Sequence, residues 1–318
     1  MGRAFRTAQG TEHAMAEPTS CSPQVTFLMV VGPGEGTLAT DTLEGIAACE
    51  PAATAWVLDD CTRDGTYEIL ERWAVGHPGT RVLRNPRPRG YRGIAGSFFS
   101  LLRAVAQEPR VPEIVLKVDP DTCIVAPGVV DLVRQRFAAV GPGISGAYRI
   151  GASGGRRHFG HLRRNMLLDL LPIGVHKDRR SLRVGLPFWT RYLRAARRHG
   201  YELGEHVLGA LSAMHGETVG ALRESGFLDS LPDDYRALTV EEDVLLGLGT
   251  KAVGHQLIDI NTDPLDPRVW IQFRPPVPHD ADALVERGIL AVHPVKATPD
   301  GERMRAAFRA RRREVLAS

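Results

Sequence analysis

The chain has 318 residues, 40 Lys and Arg against 37 Asp and Glu, and a formal net charge of +3, enough for one large α/β domain or two smaller ones with a core that needs no covalent staples. Cys21, Cys49, Cys61 and Cys123 form no CxxC pair, which excludes a zinc ribbon or disulfide framework and fits a reducing cytoplasm. Its 33 Gly and 22 Pro stay below the share of a disordered chain, and no run approaches the roughly 18 apolar residues of a membrane span.

Residues 1–23 lack the apolar core of a signal peptide and read as a flexible leader. From there the patterning predicts a strand at Val25–Val31, a helix at Leu38–Ala48, a strand at Ala53–Leu58 and a helix at Thr66–Val75. Thr66 is the expected N-cap of that helix, with Ile69, Leu70 and Trp73 on one face. A strand at Arg81–Arg84, a helix at Gly93–Ala106, a strand at Ile114–Val118, a helix at Val129–Phe137 and a strand at Ile144–Ile150 follow. Strands alternating with helices imply an α/β fold: a mostly parallel sheet with helices on both faces and ligands at the carboxyl ends of the strands. Residues 24–150 form the first half on this reading. The second, 151–298, begins with an Arg-, His- and Gly-rich insertion of helices and loops over 151–203. Periodicity returns at Leu203–Met214, Val219–Glu224 and Val240–Gly249, and 299–318 reads as a basic C-terminal helix or tail.

Two apolar strands end in paired acids. Ile114 to Val118 runs into Asp119-Pro120-Asp121. Residues i and i+2 of an extended segment project to one side, so these carboxylates can converge on one cation, and Pro120 biases Asp119 toward extended backbone. Hard oxygen donors suit Mg²⁺ or Mn²⁺, which keep positions open for substrate phosphates; plain turn chemistry is the alternative. The strand Ala53–Leu58 likewise leads into Asp59-Asp60 and the Asp64-Gly65 turn. Gly32-Pro33-Gly34-Glu35-Gly36-Thr37 misses the GxGxxG spacing and reads as a tight loop or a turn approaching a nucleotide. No Walker A sequence is present, which excludes P-loop phosphoryl transfer.

Arg89 and Arg92 stand just before the Gly93 helix, where guanidinium groups and amides can meet a diphosphate; a solvated loop is the alternative. Glu241-Glu242-Asp243 opens another helix. Thr239 with Glu242 makes a capping-box pattern, and acids in a first turn offset the helix dipole, yet three in succession exceed what capping needs. Arginine clusters at Arg156-Arg157, Arg163-Arg164, Lys177 to Arg180, Arg197-Arg198 and Arg303 to Arg313 form either solvated helix faces or a basic surface for nucleic acid or an anionic membrane. No helix-turn-helix, RNP-like or zinc-finger signature accompanies them, so no nucleic acid partner is expected. Trp189 and Trp270 are assigned to the core rather than to sugar stacking, and most histidines to surface or structural roles.

In order along the chain, four motifs resemble those of nucleotide-sugar-dependent GT-A glycosyltransferases, especially the family-2-like group and the fringe-type and β-1,3-galactosyltransferase relatives. Leu58-Asp59-Asp60-Cys61-Thr62-Arg63-Asp64-Gly65-Thr66 is similar to the "DDxSxDGT" segment, Val118-Asp119-Pro120-Asp121 to the DxD motif, Glu241-Glu242-Asp243-Val244 to the "EDV" helix start, and Val292-His293-Pro294-Val295-Lys296 to the late "HPxK" segment. The resemblance spans about Val25 to Lys296 and implies a GT-A, Rossmann-like fold with an acceptor-side insertion at 151–203. It implies that Asp59 and Asp60 contact the nucleotide, that Asp119, Asp121 and His293 hold Mn²⁺ or Mg²⁺ with Asp119 also meeting the donor, and that Asp243 is the base of an inverting transfer. Glu242 would orient the acceptor or a neighbouring backbone group. The donor would be a nucleotide sugar, UDP-linked by analogy, and the acceptor a hydroxyl of a small molecule, such as a natural product, or of a glycan. A sugar-1-phosphate nucleotidyltransferase and a non-catalytic nucleic-acid or membrane-surface binder are the rival readings.

Overall fold

The computed structural model describes residues 24–90, 93–170, 179–231, 240–272 and 281–317. The leader, Arg92 and Thr239 lie outside the described residues. The unbroken apolar run Val25–Val31 forms β1, buried at every position, as does Ile114–Val118, β4. Such runs mark strands covered on both faces, where alternation would leave polar groups in the core.

In chain order the elements are β1, α1 (Gly36–Cys49), β2 (Thr54–Asp59), α2 (Thr66–Val75), β3 (Thr80–Arg84), α3 (Ile94–Ala106), β4, β5 (Cys123–Ile124), α4 (Val129–Val140), β6 (Gly143–Gly146), α5 (Gly160–Leu170) and α6 (Arg179–Arg198). Then come β7 (Leu211–His215), α7 (Gly216–Glu224), α8 (Phe227–Ser230), α9 (Glu242–Ala252), β8 (Gln256–Asp259), β9 (Val269–Ile271), α10 (Ala281–Glu286), β10 (Ala291–His293) and α11 (Pro299–Ala317). The main sheet has the order β3-β2-β1-β4-β7-β6-β8. It is parallel except at β7, which runs antiparallel to both β4 and β6. The expected α/β class holds, and the sheet draws strands from both halves of the chain.

One face of the sheet packs on α3, α6, α7, α8 and α9, where Phe98, Phe99, Trp189, Tyr192, Phe227 and Leu245 join one apolar cluster. The other packs on α1 and α4 through Leu43, Ile46, Val130 and Phe137. A small second sheet, β5-β10-β9, covers a third cluster that contains Trp270, Leu284 and Phe308. Trp189 and Trp270 are therefore core residues, as expected. Among the described residues no helix is long and apolar enough to cross a membrane.

Three local expectations are corrected. Gly65, with φ of 87°, rather than Thr66 is the N-cap of α2, and the Asp64 carboxylate accepts the Thr66 N–H at 3.1 Å in its place. The strand expected at Ile144–Ile150 stops at Gly146, because the N–H groups of Tyr148, Arg149 and Ile150 turn onto one oxygen of Asp259 at 2.7–3.1 Å. The C-terminal arginines are not a solvated face throughout. Arg305, Arg309 and Arg312 on α11 converge on Asp41 of α1 at 2.6, 3.1 and 3.3 Å, because one helical face carries all three. Arg305 and Arg312 are buried and also donate to the carbonyls of Val295 and Ile124.

Removing one partner of a buried ion cluster strands the remaining charge, at a cost of about 3–5 kcal/mol. Asp41→Ala is expected to lower urea-unfolding stability by about that much, whereas Arg309→Ala, at a side chain 38% exposed, costs less than about 1 kcal/mol. A loss below about 1 kcal/mol for Asp41→Ala would show that the arginines are solvated instead.

Candidate functional site

The site forms where β4 ends. Asp119 follows Val118 and donates its N–H to Ala210 O at 2.9 Å, and the Thr122 N–H closes a turn onto Asp119 O at 3.0 Å. Thr42 of α1 braces this turn from behind, its hydroxyl 2.7 Å from Pro120 O. His293 arrives through the second sheet. β10 pairs antiparallel with β5, Val292 opposite Cys123 and Ala291 opposite Ile124, and Val295 N–H bonds Asp121 O at 2.8 Å. This register carries the end of β10 to the end of β4.

Asp119, Asp121 and His293 each offer one donor atom, and the three atoms lie within 4.8 Å of one another. Each carboxylate gives one oxygen to a lysine and the other to this cluster. Asp119 Oδ1 pairs with Lys117 at 2.6 Å, leaving Oδ2 3.9 Å from His293 Nε2. Asp121 Oδ2 pairs with Lys296 at 2.5 Å, leaving Oδ1 3.2 Å from the same nitrogen. His293 Nδ1 bonds Gln272 O at 3.0 Å, so the proton belongs on Nδ1 and the lone pair on Nε2 faces the carboxylates. Two carboxylate oxygens and one imidazole nitrogen on a common face, with outer-shell partners fixing all three, make a donor set that fits Mn²⁺ or Mg²⁺. Burial works to raise the Asp121 carboxyl, but His293, when Nε2 also carries a proton, and Lys296 outweigh it and hold the group well below the usual range.

Lys117 connects this cluster to the "EDV" helix start. It is 5% exposed and bonds Asp119, Glu242 Oε1 at 3.3 Å and Gly209 O at 2.7 Å. Burial alone would lower its pKa, but Asp119 and Glu242 reverse that and raise it, so it stays charged. A Cβ at Gly209 would stand 3.1 Å from Lys117 Nζ, 3.3 Å from Glu242 Oε1 and 3.4 Å from Asp243 Cβ. The bare backbone at Gly209 thus gives Lys117 and Glu242 room that a Cβ would crowd by a few tenths of an ångström. Glu242 thus faces Lys117, and burial raises its carboxyl.

Asp243 keeps 11% of its side chain exposed, and its partial burial, then repulsion from Glu241, pushes its carboxyl up to about 7. Its Oδ2 lies 3.4 Å from His206 Nε2. That pair carries no ionic attraction: His206 is lowered to about 4 by burial, then by Arg157, so the ring is neutral. His206 Nδ1 donates to Gly204 O at 2.9 Å and Nε2 accepts from Arg157 at 2.8 Å. α9 approaches this segment closely because a Cβ at Gly247 would stand 2.7 Å from Glu205 O.

Asp59 and Asp60 are committed within the chain. Asp59 accepts from the Thr62 hydroxyl at 2.6 Å and N–H at 3.1 Å and pairs with Arg84 at 3.2 Å. Asp60 accepts from Asn85, from the Arg89 N–H at 3.0 Å and from the Gly90 N–H at 2.7 Å. These carboxylates shape the loop that presents Arg89 rather than leaving oxygens unpaired. Glu35, Lys117, Lys296, Arg157 and His206 belong to the site but were not selected from sequence. Glu35 had a signal, an acid within the glycine turn at the end of β1. Its Oε2 accepts the Gly32 N–H at 2.7 Å, and its pKa is raised by burial and further by Asp121 and Asp119.

No protein-family model matches the chain, and no curated protein matches it in sequence. Among solved structures it is similar to the mannosyltransferase PcManGT from Pyrobaculum calidifontis in complex with GDP-Man and Mn²⁺, at 18% identity over 92% of this chain and 62% of that one, TM-score 0.46. It is similar to a TarS fragment from S. aureus, at 14% identity over 74% and 57%, TM-score 0.43. The galactosyltransferase LgtC in complex with donor and acceptor sugar analogs matches at 8% identity over 90% and 95%, TM-score 0.45. The chain spans about three fifths of the length of the first two, and at these scores the likenesses transfer no chemistry to it.

A carboxyl raised from the ordinary 3.8 to about 7 holds a proton in the folded chain that the unfolded chain releases between those values. Stability therefore falls as pH rises across that window. Asp243→Asn is expected to flatten this part of the profile of urea midpoint against pH; an unchanged profile would place the Asp243 carboxyl in contact with water.

Proposed function

We propose that the chain is a metal-dependent, inverting GT-A glycosyltransferase that moves a sugar from a nucleotide diphosphate, a UDP-sugar by motif analogy, to an acceptor hydroxyl. The observation that carries this reading is the facing set of Asp119 Oδ2, Asp121 Oδ1 and His293 Nε2 at the carboxyl end of the parallel strand β4, joined by one buried lysine to a second acidic pair. Ligands collect at this end of open α/β sheets. The four motifs in order supply the donor class.

Those three atoms would hold the cation, which when bound supplies positive charge against a departing diphosphate. Lys117 and Lys296 fix which carboxylate oxygens face inward and keep the acids from repelling one another. The acceptor oxygen attacks the anomeric carbon from the side opposite the diphosphate, and its proton passes to Asp243. Two candidates compete for that proton, and their environments separate them. His206 has its Nε2 lone pair tied to Arg157 and a pKa near 4, which makes it a poor base. Asp243 sits near 7, where a general base combines availability with driving force at neutral pH. Glu242 supports the base through Lys117 instead of touching the acceptor.

A nucleotidyltransferase would also use acidic metal ligands, but it attacks a phosphorus and has less need of a buried carboxyl beyond the metal cluster. Two measurements test the reading. Calorimetric titration of UDP and of GDP with Mn²⁺ should show binding that EDTA and Asp121→Ala each abolish; the absence of binding by both nucleotides to folded protein would refute the donor site. With a donor in hand, Asp243→Asn should lower turnover by about 10²–10⁴ with nucleotide affinity held within a few fold. The wild-type rate should rise through a pH of about 7 to a plateau. A rate that is flat across that range, or unchanged in Asp243→Asn, assigns the base elsewhere.

A further inference from the structure

Away from the metal cluster, positive charge concentrates in a cleft of about 520 Å³. Its walls are the hairpin after β6, the first turn of α5, the last turn of α6 and the Tyr201–Leu203 segment. Five arginines line it, Arg149, Arg156, Arg157, Arg163 and Arg197, together with His158, and Glu202 is the one carboxylate among the lining residues.

The internal counter-charges are already used. Glu202 pairs with Arg149 at 2.8 Å, and the buried Glu205 shares Arg149 at 3.3 Å while accepting from the Tyr148 hydroxyl. Arg157 is held from behind by the carbonyls of Ala147, Tyr148 and His206. Arg156, Arg163 and Arg197 are exposed and have no carboxylate partner among the described residues. The contrast with α11, whose arginines close on Asp41, shows what this chain does with arginines meant for itself. Converging cations without an internal anion focus a field on the space between them. Guanidinium forks match phosphate oxygens bidentately, the α5 N-terminus adds backbone N–H groups, and the volume suits a small molecule.

The cleft also borders the reaction centre. Arg157 Nη2 touches His206 Nε2 at 2.8 Å, and that nitrogen lies 3.4 Å from Asp243 Oδ2. The inner wall of the cleft and Asp243 thus meet at one imidazole nitrogen. Resting on the glycosyltransferase reading, we infer that this cleft binds the acceptor through a phosphate group, so the substrate class is a small phosphorylated molecule whose free hydroxyl reaches Asp243.

The test uses the full chain in EDTA, which removes metal-dependent binding at Asp119 and Asp121. Glycerol 3-phosphate and inorganic phosphate are titrated by calorimetry, with glycerol as the neutral control. Both anions should bind, glycerol should not, and affinity should fall with salt. The Arg163→Ser/Arg197→Ser double variant, at exposed positions whose thermal melting should match wild type, should weaken binding by about tenfold or more, while Asp121→Asn leaves it unchanged. Equal binding by the double variant, no binding to wild type, or sedimentation with phosphatidic acid vesicles without binding of the soluble anions each overturns the inference. Parallel titration of UDP and GDP with Mn²⁺ separates the two failures. Nucleotide binding without phosphate binding removes the cleft assignment alone; phosphate binding without nucleotide binding removes the transferase reading and leaves an anion site.

Discussion

Lys117 is the constraint around which the centre is arranged. A strand buried at every position places an ammonium group in the interior, and burial would neutralise it unless carboxylates stood beside it. Asp119, just past the end of the same strand, and Glu242 on a distant helix supply them. The cost of the buried ions is met only while all of these partners are present. One cation therefore fixes the outward oxygen of the metal-facing carboxylate and the approach of α9, and with α9 the position of Asp243.

The second sheet performs the complementary task. Asp121 and His293 meet because β5, only two residues after Asp121, pairs with β10. The clamp of Asp41 on Arg305 and Arg312 ties α11 to α1, and α1 also braces the Asp119–Asp121 turn through Thr42. The C-terminal helix thus supports the metal-facing residues from behind, since Arg305 also bonds the carbonyl of Val295 just beyond His293. Charge placed far from the centre in sequence keeps its geometry.

The same logic, run with opposite sign, marks the region after β6. Arg157 spends its donors on carbonyls and on His206, and burial, then Arg157, keeps that histidine neutral beside the raised carboxyl of Asp243. A neutral imidazole neither competes for a proton nor stabilises a carboxylate. The Asp243 carboxyl is kept weakly acidic by burial and then by repulsion from Glu241, which outweigh the opposite pull of Lys117 and Arg157.

The strands β1 and β4, the α/β class, the helices α2 and α3 and the Asp119 and Asp121 candidates were legible in the sequence from local signals, namely unbroken apolar runs, helical periodicity and acids at a strand end, whereas His293 and Asp243 were singled out through motif resemblance. Boundaries failed where a distant side chain took over the backbone, as Asp259 does at Tyr148–Ile150. Lys117 was invisible as a site residue, since a lysine inside an apolar run announces nothing until Glu242 and Gly209 are brought to it. The arginines of 149–163 and of 303–313 look alike in sequence; only packing closes one set on Asp41 and leaves the other open around a cleft. Sequence alone determined which elements form and which side chains can do chemistry, because secondary structure and side-chain chemistry are short-range properties. Tertiary structure decided which carboxylate oxygens converge with His293, which carboxyl is raised toward neutral pH and which arginines lack a carboxylate partner among the described residues, because those depend on burial and on charges brought together from distant parts of the chain.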